Sequence, residues 1–143
     1  MTHWSVPYIG LPWREKGDTR EGVSCWGLGV LLYREIAGIT LPTYAEAFAT
    51  SSERAEIAAI IDGATSAWPW NLVLPGQERN LDVAIFRRAG MDTHVGLICG
   101  RGRMLHITHD QESAIVDYRS GRWAHRLAGI YRHADLMERP LGL

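Results

Sequence analysis

The order of its patterns predicts an α+β fold for this chain. Helical spacing of apolar residues comes first, over Cys25 to Ala37, and short runs with strand-like alternation follow from Leu81 onward. Helices and strands segregated in this way argue for a mostly antiparallel sheet packed against the Cys25 helix. The 143 residues, 46% hydrophobic and 22% charged, supply the apolar mass of one continuous core, so residues 1–143 are read as a single domain.

Residues 1–24 are rich in Gly, Pro and charge. Within Cys25 to Ala37, Leu28, Leu31, Leu32 and Ile36 recur at the spacing of an amphipathic helix, with Ser24 as N-cap and Gly38 just past the end. A second helix is expected over Ser52 to Ile61, where Ser51 and Ser52 offer caps, Glu53 and Glu56 suit a first turn, and Asp62 and Gly63 end the stripe of Ile57, Ile60 and Ile61. Trp68 to Gly76 reads as a loop by its prolines, and Trp68 and Trp70 make it an apolar one. Five strands follow: Leu81 to Arg87, His94 to Cys99, Met104 to Thr108, Ser113 to Tyr118 and Gly129 to Arg132.

A formal charge of −1 argues against nucleic acid or an anionic membrane surface as a partner. Lys16 is the one lysine among the 15 basic residues, a compositional bias rather than a binding surface. Arg119, Arg122 and Arg126 fit either a protein contact or solvated surface. No window resembles a membrane span, and Met1 to Pro12 lacks the charged and apolar regions of a secretory signal, so synthesis in the cytoplasm without an export signal is expected. Cys25 and Cys99 are too few for a disulfide framework.

Chemistry concentrates at three positions. A thiol at a helix N-terminus, as Cys25 would be, feels the positive end of the helix and ionises more readily. His94 opens a strand that turns at Gly100-Arg101-Gly102 and returns through Met104 to Ile107, a hairpin pattern. If Val95, Leu97 and Cys99 share one face with Leu105 and Ile107, alternation puts His94 and His106 together on the other, whereas His109 needs the opposite register. Nucleophile, base and orienting imidazole are the parts of a Cys-His hydrolase. Zinc is the competing use of these residue types, but Cys25, His94 and His106 lack the short paired spacings of structural zinc sites, and neither metal nor cofactor is expected. Cys99, within an apolar strand, reads as core; His3, His125 and His133 read as solvated surface.

Tyr8-Ile9-Gly10-Leu11-Pro12-Trp13, then Gly22-Val23-Ser24-Cys25-Trp26-Gly27-Leu28, Tyr33-Arg34-Glu35 and Gly38-Ile39-Thr40-Leu41-Pro42 resemble the start of NlpC-type cell-wall cysteine peptidases. Asp82-Val83-Ala84-Ile85-Phe86 resembles that family's first core strand, His94-Val95-Gly96-Leu97 its histidine strand, and Gly102-Arg103-Met104-Leu105-His106 the strand with its third polar residue. The resemblance spans roughly residues 6–118 and implies a compact papain-like fold with Cys25, His94 and His106 as catalytic residues. It also implies peptidoglycan as substrate, cut in its stem peptides at a D-glutamyl to diamino-acid bond. Tyr8, Trp13, Ser24 and Trp26 are implied to shape the substrate pocket, although Ser24 stands where the family commonly has Asp, and Trp26 where Ser is frequent. The Cys-Trp-Gly-Leu form and Gly129-Ile130-Tyr131-Arg132 look like the branch carried on phage tails and tail-like gene transfer agents. That branch implies tail-hub or tail-tip partners and a location in a virion or tail-like particle acting on the periplasmic wall. A tail-tip structural module with the same fold and little activity is the alternative. Trp68 and Trp70 would either line the substrate groove or anchor their loop to the core or to a partner.

Overall fold

The computed structural model describes residues 3–41, 70–88, 91–138, 141 and 143. The helix expected at Ser52 to Ile61, and Trp68, lie outside the described residues.

Ser24 begins the central element. Its backbone is extended and its hydroxyl accepts a hydrogen bond from the Gly27 N–H at 3.0 Å, which caps α1 (Cys25–Leu32) as expected. The helix widens into a π-helical turn, Tyr33–Ala37, and ends at Gly38, where φ is 68° and the N–H bonds back to the Tyr33 carbonyl. The expected span is therefore right, but the amphipathic character is not. All 8 residues of α1 are buried, and the polar Arg34 and Glu35 arrive only in the π turn. Gly27 makes the closest part of this enclosure possible. A Cβ on Gly27 would collide with the Gly17 carbonyl, and one on Gly29 would rest on Leu97 at 3.8 Å. Each glycine costs the helix about 1 kcal/mol against alanine. Burial of Leu28, Leu31 and Leu32, at roughly 1.5–3 kcal/mol per side chain, outweighs that.

Residues 3–24, which carry no periodic signal, wrap this helix. A 3-10 turn covers Val6–Tyr8, and a two-stranded ribbon pairs β1 (Asp18–Thr19) with β2 (Gly22–Val23). Buried Ser113 ties the segment to the rest, its hydroxyl donating to the Tyr8 carbonyl at 2.5 Å and accepting from the Leu11 N–H at 2.9 Å.

Among the described residues, six strands form the main sheet: β3 (Trp70–Leu72), β4 (Val83–Arg88), β5 (Met91–Ile98), β6 (Arg103–His106), β7 (Ala114–Asp117) and β8 (Leu127–His133). Their order is β3-β8-β4-β5-β6-β7, and each neighbouring pair is antiparallel. Trp70 therefore belongs to a strand rather than to the expected loop. It pairs with His133 because the prolines at 69 and 75 bracket the three residues instead of interrupting them. That pairing also removes His133 from the surface expected for it: the ring is buried, 5.3 Å from the Trp70 indole.

Period-2 alternation divides the sheet into two faces. Val83, Ile85, Val95, Leu97, Leu105 and Ile107 pack in the cluster that holds α1, while Ala84, Phe86, Ile98 and Met104 pack in a second cluster with Trp123 of the short helix α2 (Gly121–Ala124). The strand–turn–strand register is the expected one, with Leu97 opposite Leu105 and Ile98 opposite Met104. At the start of β4, Leu81 is held at φ 72°, a conformation leucine resists, by complete burial and by the Tyr33 hydroxyl donating to its carbonyl at 2.6 Å. Asp82 follows, 1% exposed, and takes two hydrogen bonds from Arg132 of β8, at 2.9 and 2.8 Å. No helix among the described residues is long and apolar enough to cross a membrane.

Breaking a buried ion pair strands a charge, whereas an exposed pair is already screened by water. Urea unfolding should thus show Asp82→Ala losing about 3–5 kcal/mol. Arg20→Ala, which removes the half-exposed Arg20–Glu35 pair, should lose about 1 kcal/mol or less.

Candidate active site

His94 and His106 meet. Nε2 of His94 lies 2.9 Å from Nδ1 of His106, both rings are buried, and their planes are nearly perpendicular at 89°. Alternation alone puts the two on the Phe86 face, and two irregularities sharpen the placement. The β4–β5 pairing shifts between Phe86 and Arg87, just before His94 is reached on β5, and the β4–β8 pairing shifts between Ile85 and Phe86. Bulges bend a strand and re-aim its side chains, and these two flank the Phe86–His94 pair. On the other side, the β5–β6 ladder ends at Leu97–Leu105, so the histidines stand where the two strands part.

Burial decides the charge state of His106. Desolvation, aided by the positive charge of Arg122, pulls its pKa down to about 4, so the ring is neutral at neutral pH. A neutral imidazole offers one donor and one acceptor nitrogen. With Nε2 of His94 committed to this contact, Nδ1 is the nitrogen through which His94 can exchange a proton with another group.

Cys25 occupies the first position of α1, whose body packs on β5. Cys99, also buried, contrasts with it: desolvation pushes that thiol up to about 11 against a weaker pull from Arg103, as befits a core residue. His109 is apart from the pair. It is exposed, with Nδ1 3.1 Å from a carboxylate oxygen of Asp110, and set against Trp13 with ring centroids 4.2 Å apart. Among the described residues no three His, Cys, Asp or Glu side chains converge as a metal site would.

The profile described as the NlpC/P60 family matches residues 10–132. The chain belongs to this family. Its fold is similar to that of an NlpC/P60 family protein from Bacillus cereus ATCC 10987, at 20% identity and a TM-score of 0.64 over 91% of this chain and 38% of that one. The NlpC/p60 domain of the peptidoglycan hydrolase SagA aligns at 16% identity and a TM-score of 0.60, over 90% of this chain and 92% of that domain. A lipoprotein-like NLP/P60 protein from Staphylococcus aureus subsp. aureus Mu50 aligns at 22% identity and a TM-score of 0.62, again over 90% of this chain and 38% of the other. The chain thus spans little more than a third of the length of the Bacillus and Staphylococcus proteins. No curated protein is matched by the sequence.

Within this NlpC/P60 chain, the four residues expected around a substrate have different settings. Ser24 is occupied as the α1 cap. Trp26 is buried, its ring 6.3 Å from that of Trp70. The buried Tyr8 donates its hydroxyl to Glu35 at 3.0 Å beneath the Arg20 guanidinium, and Trp13 remains half-buried beside His109. Trp70 packs its ring near Tyr33 and His133, which makes it an anchor of its strand to the core. The residue that sequence reasoning missed is Trp123, stacked on His94 at 4.9 Å. Its one signal was an apolar residue amid the arginines at 119, 122 and 126.

Because the folded state disfavours protonated His106, the unfolded chain takes up that proton first, at its ordinary pKa of 6.5. The corresponding stability is complete above about pH 6.5 and drains away as pH falls toward 4, by up to about 1.4 kcal/mol per pH unit. Burial depresses His133 as well and adds to the same slope. Urea titrations at pH 7, 5.5 and 4.5 should record this decline, and His106→Gln should flatten it.

Proposed function

We propose that this chain is a cysteine endopeptidase of peptidoglycan in which Cys25 is the nucleophile, His94 the general base and His106 the residue that orients His94. The observation that carries the reading is the buried 2.9 Å contact between the two imidazoles, one of them on the strand against which the Cys25 helix packs. Membership of the NlpC/P60 family and the likeness to a domain of a peptidoglycan hydrolase support it. So does the cost of burying two polar rings, which a scaffold alone has no reason to meet.

In the proposed reaction, Nδ1 of His94 takes the Cys25 thiol proton where β5 and β6 part, and the thiolate attacks the scissile carbonyl carbon. The carbonyl π electrons move to oxygen and a carbon–sulfur bond forms. Collapse of this intermediate breaks the carbon–nitrogen bond, and the leaving amine takes the proton from His94. Water then gives a proton to His94 and attacks the thioester, releasing a carboxylate and the thiol. His106 stays neutral throughout and keeps the His94 ring aligned. The substrate class is a stem peptide, cut at its D-glutamyl to diamino-acid bond, with the half-buried Trp13 available to contact it. Delivery on a phage-like tail, with tail-hub proteins as partners, is supported by the tail-branch look of Cys25-Trp26-Gly27-Leu28 and Gly129-Ile130-Tyr131-Arg132.

Purified sacculi incubated with the protein and analysed by mass spectrometry should yield new muropeptides. Cys25→Ala should release none while remaining folded, and Cys99→Ala should keep most activity; the reverse pattern would move the nucleophile to the other thiol. His94→Ala should lose about 10²- to 10⁴-fold. His106→Gln should retain measurable turnover, and His109→Ala should match the parent. Proteomics of purified tail-like particles should find the chain there, and its absence would remove the delivery reading alone.

A further inference from the structure

Trp123 reaches the two histidines from outside their hairpin. Its indole lies nearly parallel to the His94 ring, at 24° with centroids 4.9 Å apart, and edge-on to His106, at 80° and 5.1 Å. Phe86 closes another side, edge-on to Trp123 at 5.2 Å and tilted to His94 at 6.1 Å. The helix bearing Trp123 is short, yet it is fastened: Arg126 N–H donates to the Trp123 carbonyl at 3.0 Å, and the Arg126 carbonyl accepts from the Arg87 N–H of β4 at 2.7 Å. Trp123 is buried, and the Arg122 guanidinium sits 5.0 Å from its ring centroid.

We infer that Trp123 is a positioning residue for the imidazole pair, its indole face fixing the plane of His94 and its geometry to His106 fixing the perpendicular plane beside it. The catalytic consequence rests on the peptidase reading above; the structural content does not. The need for such a clamp follows from the freedom of the second side-chain torsion of histidine, which is broad and roughly two-fold. A half-turn of the His94 ring would put Cε1 where Nε2 meets His106 and Cδ2 where Nδ1 would face a thiol. Hydrogen bonding at 2.9 Å opposes that turn, and a ring stacked against one face opposes the tilt that begins it. The same cover keeps water from His106. The charged and titratable groups that face this ring are His94 from β5 and Arg122 from α2, while β4 presents Phe86.

Nitrogen-15 NMR of the histidines tests this on the intact chain. In the parent, His106 should titrate near 4 and the His94 Cδ2 and Cε1 protons should lie upfield through the indole ring current. In Trp123→Leu, which keeps apolar volume without the stack, the His106 midpoint should rise by at least about one pH unit and both histidines should show mixed tautomers. Stem-peptide cleavage should lose about tenfold in kcat with KM within about twofold, and Trp123→Phe should restore most of it. Parent-like titration and tautomers in Trp123→Leu would overturn the inference. Ordinary His94 proton shifts in the parent would do so without any variant, whether or not Trp123→Leu folds. Cleavage by the parent together with unperturbed histidines in Trp123→Leu would sink the positioning role and leave the peptidase standing. The NMR changes without cleavage by any form would leave the positioning role and sink the peptidase.

Discussion

Everything in this molecule is arranged around the need to cover α1 on all sides. An eight-residue helix with no polar side chain from Trp26 to Leu32 cannot meet water without exposing apolar surface, so it must be wrapped rather than laid on a surface. The chain meets the requirement on one side with a glycine. Gly27 lets the Gly17 carbonyl come against the helix from the amino-terminal segment, and on the sheet side Leu97 packs beside Gly29 at ordinary contact distance. Position follows from this close packing. The residue at the helix start, Cys25, is placed relative to β5 by the packing of α1 on that strand.

The sheet beneath does two jobs because alternation gives it two chemically different faces. One face is aliphatic and seats the helix. The other begins the same way, with Ala84, Ile98 and Met104, and becomes aromatic and imidazole-bearing where β5 and β6 part. A polar pair in such a place is stable only if each ring satisfies the other, and the perpendicular contact between His94 and His106 does this with one shared proton position. Low polarity around His106 then removes its charge at neutral pH.

Structural strength is placed away from this end. The buried Asp82–Arg132 pair joins the first residue before β4 to β8, and Arg132 also donates to the Gln77 carbonyl at 2.8 Å, so the loop into β4 and the strand beside it are tied at one point. Bulges, which weaken pairing, occur instead near Phe86 and His94. The division between a rigid end and a reshaped end of the same strands is common where a sheet must both hold together and present side chains at an angle.

Local chemistry in the sequence was enough for the span of the helix from Cys25 to Ala37, the Ser24 cap, the stop at Gly38 and the His94–His106 register, because each depends on residues close together in the chain or on strict two-residue alternation. The α+β class followed from the order of those patterns. The tertiary structure alone decided that α1 is enclosed rather than amphipathic, since the covering Gly17 carbonyl comes from a segment that carries no periodic signal pointing at it. It also decided that Trp70 is a strand residue and His133 a buried one, because their pairing joins segments some sixty residues apart. Trp123 was illegible for the same reason. Its neighbours in sequence are arginines, and its aromatic partners, Phe86, His94 and His106, come from three different strands that only the folded sheet brings together.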